Sequence, residues 1–520
     1  MKFILKHLVI LLNSIFLNRF EKDFINLNSS NKFLQENNFK NKKTIIIQVV
    51  TDYYYLAYYK TLILDKRFLN YNFIGLWPYF QQTVRKRYLV IELLNEIYNK
   101  FLFIFIYRKW SKLYASIGIK KIEKIYTNKV LSNKKFFNFS IKNKKALLSL
   151  KINKIYLGDI IYDTYLRFRA KPTVFIKDYF LFNLIKKSTI IISNLKKIFK
   201  KYKPIYFFTS YSSYIHHGLP VRFFLKNNVI VFSGKNNSQY NKKLSINNFS
   251  HVENYKKYKL YYHIIKKNKN FINFSKKDLL ERFSTNKKTV NNSSYLLIDT
   301  YSSKKNISKE LDKLKNIEGV LFLQDFYDSP HDWGNLVFKD FYIWTIFTLN
   351  IIRKFKLRIA IKPHPNSWHN SADSVIIYRR LQNRYKDLIW LDKDLGNKLI
   401  FKKIKFGISA NGTVLFELAY HNVKAVSCGD HPGKDFNFTI NAKSKDDYRS
   451  ILLNIHQIRK PSYSKKDLLI YNYLYYYYDM DSFKNVARTI DLKKIDMTHS
   501  HSLMEFETKY KNFIKKKFDK

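Results

Sequence analysis

Ser409-Ala-Asn411-Gly412-Thr413 stands where a short apolar run gives way to Val-Leu-Phe-Glu-Leu-Ala-Tyr, residues 414–420. A strand that ends at Ile408 and turns through small residues into a helix leaves the first helical N–H groups without partners, which suits phosphate. Gly412 would let the backbone approach a ligand closely, and Thr413 would add a hydroxyl. Glu417 falls one turn later on the face of Thr413, placed to accept two hydrogen bonds from a ribose diol. An ordinary βα turn with an incidental glutamate would also account for these residues, but not for the loops beside them.

His364 supplies a second group. Pro363 and Pro365 fix the backbone on either side, so the imidazole is held with little entropy left to lose, and Lys362 precedes it. Such a pair would steady charge on a departing phosphate. A third polar turn, residues 428–433, contains Gly429 and His431; His431 either lines a base pocket or only shapes the loop. Asp159 and Asp163 lie four apart and share a face if a helix begins at Asp159. They would then supply a base or hold a polyhydroxylated acceptor, although Asp159 equally fits a helix cap. Tyr211, Tyr214 and His216 crowd the segment 210–218, which reads either as an acceptor-binding loop after a strand or as an ordinary turn.

These groups need strands that deliver them to one place. Residues 44–50 form a continuous Ile/Val run with the bias of a strand buried on both faces. Further strands are expected at 204–209 and 229–233, with a strand running into a helix over 151–169. A helical pattern surrounds 114–124, after a mixed aromatic stretch at 100–109. A polar linker at 284–294 separates this half from a second. There, strands are expected at 294–300, 319–324, 357–361 and 423–429, and another ends at Ile408. Apolar helices are expected at 338–355 and 465–481; Tyr475 to Tyr478 in the latter suit packing at a domain boundary or a membrane interface. Consecutive parallel strands linked by helices end on one edge, so residues 362–365, 409–413 and 429–433 should share a crevice.

The expected fold class is therefore α/β with two Rossmann-like domains facing each other across a cleft. Residues 1–43 form an N-terminal extension, 44–283 the first domain, 295–490 the second and 491–520 a basic tail. With 46% apolar residues, 41 Tyr and 44 Phe, the chain has ample material for burial. Lys and Arg number 95 against 39 Asp and Glu, a net charge of +56. The lysines are scattered rather than clustered with aromatic platforms, and the abundance of Lys, Asn, Ile, Tyr and Phe fits an AT-rich coding sequence. Nucleic acid is accordingly not the expected partner, whereas an anionic membrane surface is. A single cysteine, Cys428, excludes an internal disulfide and fits a reducing, cytoplasmic setting. The first twenty residues read as a poor signal peptide, too short to span a bilayer, and better as an amphipathic surface helix.

Lys362-Pro-His-Pro365, the 409–413 turn with Glu417, and the Val-Lys-Ala-Val-Ser-Cys-Gly429 strand resemble the donor half of GT-B glycosyltransferases. Within these, the resemblance is to bacterial capsule and surface-polysaccharide enzymes of Kdo-transferase-like or sialyltransferase-like type that carry a His-Pro motif. It covers residues 320–435, and the segment 325–334 with Asp328 and His331 is similar to another stretch of such proteins. The resemblance implies a sugar nucleotide as donor, with His364 and Asn411–Thr413 at its phosphate and Glu417 at its ribose. Asp328, His331, Gly429 and His431 would line the donor site. The acceptor would be a glycan or lipid-linked glycan, and neither metal nor cofactor would be needed. A catalytic base is expected in the first domain, with Asp52, Asp159 and Asp163 as candidates by position. Alternatives are a nucleotide-sugar 2-epimerase, a polyol-phosphate polymer transferase, or a non-enzymatic basic scaffold on membrane or nucleic acid.

Overall fold

The computed structural model describes residues 15–31, 34, 43–64, 68, 70–78, 89–125, 141–235, 239–251, 258–283, 307–332, 334–365 and 372–476. The expected strand at 294–300, the linker at 284–294, the N-terminal end of the expected surface helix and the basic tail lie outside these residues.

The first sheet has six strands in the order β3-β2-β1-β6-β7-β8. β1 (Lys43–Gln48), β2 (Tyr71–Trp77), β3 (Lys121–Lys124), β6 (Tyr206–Thr209) and β7 (Ile230–Lys235) run parallel. β8 (Gln239–Lys243) closes one edge antiparallel to β7. Side chains alternate between the faces, as the period of two requires. Ile45 and Ile47 join Phe73 and Phe208 under the helices Tyr53–Ile63 and Leu89–Ser116. Ile46 joins Ile74 and Phe207 under Gly158–Arg169, Tyr179–Tyr202 and Leu219–Lys226. Each such buried side chain stabilises the fold by roughly 2 kcal/mol.

The second sheet is wholly parallel, in the order β10-β9-β11-β12-β13. Its strands are β9 (Gly319–Phe322), β10 (Ile359–Lys362), β11 (Phe406–Ser409), β12 (Lys424–Ser427) and β13 (Ile440–Asn441). Leu321, Ile361, Ile408 and Val426 pack on one face with Trp344, and Val320, Phe322, Ala360 and Ala425 on the other with Leu418. The helix Phe341–Lys354 is capped by the Asp340 side chain, which accepts from the Ile343 N–H at 2.7 Å. The α/β class with Rossmann-like sheets, one wholly parallel and one parallel but for an edge strand, is therefore as expected.

Three local expectations are corrected. The helix Leu89–Ser116 takes in the aromatic stretch at 100–109 but stops before the expected end at 124, because Gly118 adopts φ +94° and Lys121–Lys124 pairs with β2. Its charged, half-exposed residues read as a polar helix but suit an edge strand. Residues 151–156 do not join the sheet: β4 (Lys151–Ile152) and β5 (Ile155–Tyr156) form an antiparallel hairpin, with Asn153 and Lys154 both at positive φ in the tight turn. Finally, the helices Tyr258–Lys267 and Lys269–Phe283, expected in the first domain, pack on Lys465–Tyr476 of the second. Ser275 donates to the Leu469 carbonyl at 2.8 Å, and Asn472 Nδ2 donates to Asp278 at 3.0 Å. Tyr471 and Tyr473 are buried in this cluster; Tyr477 and Tyr478 lie outside the described residues.

Candidate functional site

Each sheet has one place where the strand order reverses. β1 lies between β2 and β6, and β9 between β10 and β11. In such sheets the crevice at the carboxyl ends of the reversing strands is the usual ligand site.

At the second switch point Gln324, just beyond β9, donates through Nε2 to Ser409 Oγ at 2.7 Å. A Cβ at Gly412 would stand 2.6 Å from Gln324 Nε2 and 3.0 Å from Ser409 Oγ, so a larger residue there would displace the Gln324 side chain from this bond. Asn411 and Gly412 are half-buried and Thr413 exposed, so the turn opens to solvent. Thr413 is the N-cap of Val414–Tyr420 without a side-chain capping bond. That helix has 7 residues, so its dipole contributes less than the sequence pattern implied.

Lys362 and Glu417 lie beneath this edge. Lys362 Nζ donates to Asn397 Oδ1 at 2.6 Å, and Asn397 Nδ2 donates to Glu417 Oε2 at 3.2 Å, both within the protein. Burial lowers Lys362 to about 8, opposed by the Glu417 carboxylate. These two residues thus brace the carboxyl end of β10 against the helix after β11. His364 is half-buried, and burial lowers its imidazole to about 4, with Asp328 opposing. It is neutral at pH 7 and would act by hydrogen bonding rather than as a cation.

The loop that leaves β9 reaches the first domain. His331 Nδ1 and Asp163 Oδ1 are 2.6 Å apart, and the His331 N–H is 3.4 Å from Asp163 Oδ2. The Asp163 carboxylate raises the His331 imidazole above its ordinary value, against burial, and Tyr162 packs edge-on to the ring at 5.2 Å. On either side of this pair, Tyr162 OH donates to Asp340 Oδ2 at 2.5 Å and Ser213 Oγ donates to Asp332 Oδ2 at 2.6 Å. Burial together with the nearby Asp163 pushes Asp332 up to about 7.

At the first switch point Gln48 is the hub. Its Oε1 accepts from Thr209 Oγ1 and lies 2.8 Å from His217 Nδ1, while its Nε2 donates to the His216 carbonyl at 3.1 Å. Beyond β6 the chain makes a single π-turn, Tyr214–Gly218, with Tyr214 at φ +59°. A bulky residue in that conformation and a π-turn are both costly features that collect at functional sites. Tyr214 and His216 stack at 5.7 Å, Tyr211 lies over His217 at 4.4 Å, and burial lowers His216 to about 3.

Of the expected site residues, the structure brings together Asp163 and His331, and places Tyr211, Tyr214 and His216 in one loop beside them. Four further expected residues have these surroundings. Asp159 is held by Arg222 through two bonds of 2.5 and 2.7 Å, so it anchors its helix instead of pairing with Asp163. Asp52 sits just beyond β1, close enough to Tyr114 to raise its hydroxyl. Gly429 is used to bridge Leu336, with Val337 donating to the Cys428 carbonyl at 2.9 Å. His431 is buried with Nε2 3.0 Å from Thr439 Oγ1 and 3.2 Å from Asn441 Oδ1, which pins its own loop. Sequence reasoning missed Gln324, Asn397, Asp332 and Arg167. Arg167 carried one signal: it follows Asp163 by four residues and shares its face.

No family model matches the chain, and no curated protein sequence matches it. Among solved structures it is similar to KpsC, a β-Kdo 2,4 transferase of Thermosulfurimonas dismutans (10% identity, 52% of this chain and 79% of that one, TM-score 0.30). It is also similar to a glycosyltransferase of Rickettsia africae (12%, 92% and 98%, TM-score 0.22). A third is the UDP-GlcNAc 2-epimerase of Methanocaldococcus jannaschii (11%, 82% and 97%, TM-score 0.23). TM-scores this low carry no argument, and the fold stands on strand order and register.

Proposed function

We propose that the chain is a metal-independent glycosyltransferase that moves a sugar from a nucleotide donor to a surface-polysaccharide or lipid-linked glycan. One observation carries this reading: Asp163 and His331, 168 residues apart in sequence, meet at 2.6 Å on the loop that leaves the β9/β11 switch point. The donor's phosphate would lie in the Ser409–Thr413 turn, with His364 donating a hydrogen bond to it. Asp163 would hold the Nδ1–H tautomer of His331, leaving Nε2 to take the proton of an acceptor hydroxyl. As that proton leaves, the acceptor oxygen bonds to the sugar's anomeric carbon, and the anomeric carbon–phosphate oxygen bond breaks with its electron pair going to the nucleotide. His331 Nε2 has no hydrogen bond among the described residues, as a base awaiting substrate requires.

A second reading, a nucleotide-sugar 2-epimerase, is favoured by the acids around His331. Asp163 is bonded to it, and Asp332 lies one residue away. Abstraction of a proton from a sugar carbon needs such a cluster. Incubating the full chain with UDP-, GDP-, CDP- and CMP-sugars and a glycan acceptor separates the readings. Transfer to acceptor is expected; an isomerised sugar would establish the epimerase, and incorporation of polyol phosphate a polymer transferase. Absence of turnover, together with no thermal stabilisation by any nucleotide, would leave the scaffold reading. Turnover should persist in a chelator. Co-sedimentation with anionic vesicles, weakened by salt, is expected of an enzyme working at the inner membrane face. No described helix is long and apolar enough to cross a membrane.

A further inference from the structure

Arg167 stands out among the described cations of the cleft. Its helix, Gly158–Arg169, presents Asp163 to His331 at 2.6 Å and accepts the Ile215 N–H on Thr164 Oγ1 at 2.9 Å. Phe168 packs edge-on to Tyr214 at 5.8 Å and to His216 at 5.6 Å. Residues 163, 164, 167 and 168 therefore share the face turned towards both the 211–217 loop and the 325–332 loop. On that face Arg167 is half-buried, yet among the described residues it has no hydrogen bond and no carboxylate within 4.0 Å. Its helix neighbour Arg169, by contrast, is bonded to Asp178 at 3.0 Å. Burial opposes its charge, but Tyr214, Asp328 and Asp325 nearby raise the Arg167 guanidinium above its ordinary value. A planar fork of five donors, partly withdrawn from water and unmatched, is a costly arrangement unless substrate completes it.

We propose that Arg167 is the first domain's oxyanion receptor, binding a phosphate or carboxylate of the substrate bidentately across the cleft from His364. The inference rests on the sugar-nucleotide reading for the identity of its ligand, though not for its chemistry. Two sources supply such a group: the diphosphate of the donor, or the carboxylate of an acidic sugar. The phosphate-facing turn lies in the second domain, so Arg167 would also report whether the two domains grip one ligand.

Calorimetry on the full-length chain decides the matter, with Arg167→Lys and Arg167→Met beside the parent. Circular dichroism and thermal midpoint serve as folding controls, and no bond among the described residues is lost in either variant. The probes are UDP, GDP, CDP and CMP, the corresponding nucleosides, inorganic pyrophosphate and glucuronate. The expected result is at least about tenfold weaker binding of one anionic probe by Arg167→Met, partial retention by Arg167→Lys, and unchanged nucleoside binding. Loss confined to nucleotides and pyrophosphate identifies the donor as the source, and loss confined to glucuronate an acidic sugar. Equal anion binding by parent and Arg167→Met overturns the proposal, as does a parent that binds none of the anions. If the parent binds no nucleotide, the glycosyltransferase reading falls by itself, while pyrophosphate and glucuronate still decide Arg167.

Discussion

The two switch points use the same topology for opposite ends. At the first, Gln48, Thr209 and His217 consume one another's hydrogen-bonding capacity, and two neutral histidines are packed under tyrosines. At the second, small residues make a turn that opens to solvent, held from beneath by Gln324 on Ser409 and by Ser427 Oγ, which donates to the Ala410 carbonyl at 2.9 Å. The first is a rigid wall whose shape is fixed before any ligand arrives, and the second is a socket whose remaining partners must come from outside. The proposed acid–base pair lies on neither: Asp163 belongs to a helix covering the first sheet and His331 to a loop leaving the second.

This contrast can be broken most severely at the pair between the domains. His331→Gln should lower turnover by roughly 10²–10⁴-fold, the usual contribution of a general base, with nucleotide affinity kept; single-turnover kinetics checks this. Because Asp163 raises His331, its base form appears only above the ordinary imidazole value, so the rate should rise with pH through a midpoint above about 6.5. Asp163→Asn should move that midpoint down as well as slow the reaction, and a pH–rate profile with an unmoved midpoint would exclude the dyad.

The Arg222–Asp159 pair comes next, since removing Arg222 strands a buried carboxylate. Arg222→Met should cost roughly 3–5 kcal/mol in chemical denaturation. Gly412→Val tests the socket: the added carbons displace the Gln324 side chain from Ser409 and fill the turn, and nucleotide binding should weaken about tenfold with little change in thermal midpoint. The smallest catalytic effect is expected at His431, where His431→Gln should leave nucleotide affinity within about twofold and cost about 1 kcal/mol of stability.

Asp332 gives a stability signature of its own. Its folded value, about 7, lies above the ordinary carboxyl value, so the folded protein binds the extra proton. The associated stability is fully present below about pH 4 and is lost as pH rises towards 7. Denaturation across this range should show a slope that Asp332→Asn removes.

Much of the scaffold was legible because burial on both faces writes uninterrupted apolar runs. Residues 44–50, 319–324 and 357–361 show this, and the turn at 409–413 follows from the strand and helix that bracket it. β3 was hidden because an exposed edge strand, Lys-Ile-Glu-Lys, carries no apolar period. The hairpin at 151–156 was hidden because its strands are only two residues each. The site was less legible than the fold. Asp163 and His331 were each singled out, but in different roles, since nothing local records that they touch. Asn397 acts through partners 20 and 35 residues away, and Gln324 through one 85 residues away. Lys362 and Glu417 have the composition of ligands, and only their burial turns them into braces.

The packing of Lys269–Phe283 on Lys465–Tyr476 bears on how the molecule can be divided. A fragment ending at residue 283 would carry away two helices whose apolar side belongs to the other half, leaving sticky surfaces on both products. A nick between Phe283 and Ile307 should instead yield two pieces that still co-purify, clasped by those helices. Dissection of this protein into separately expressed halves therefore belongs after residue 251, not at the junction its composition advertises.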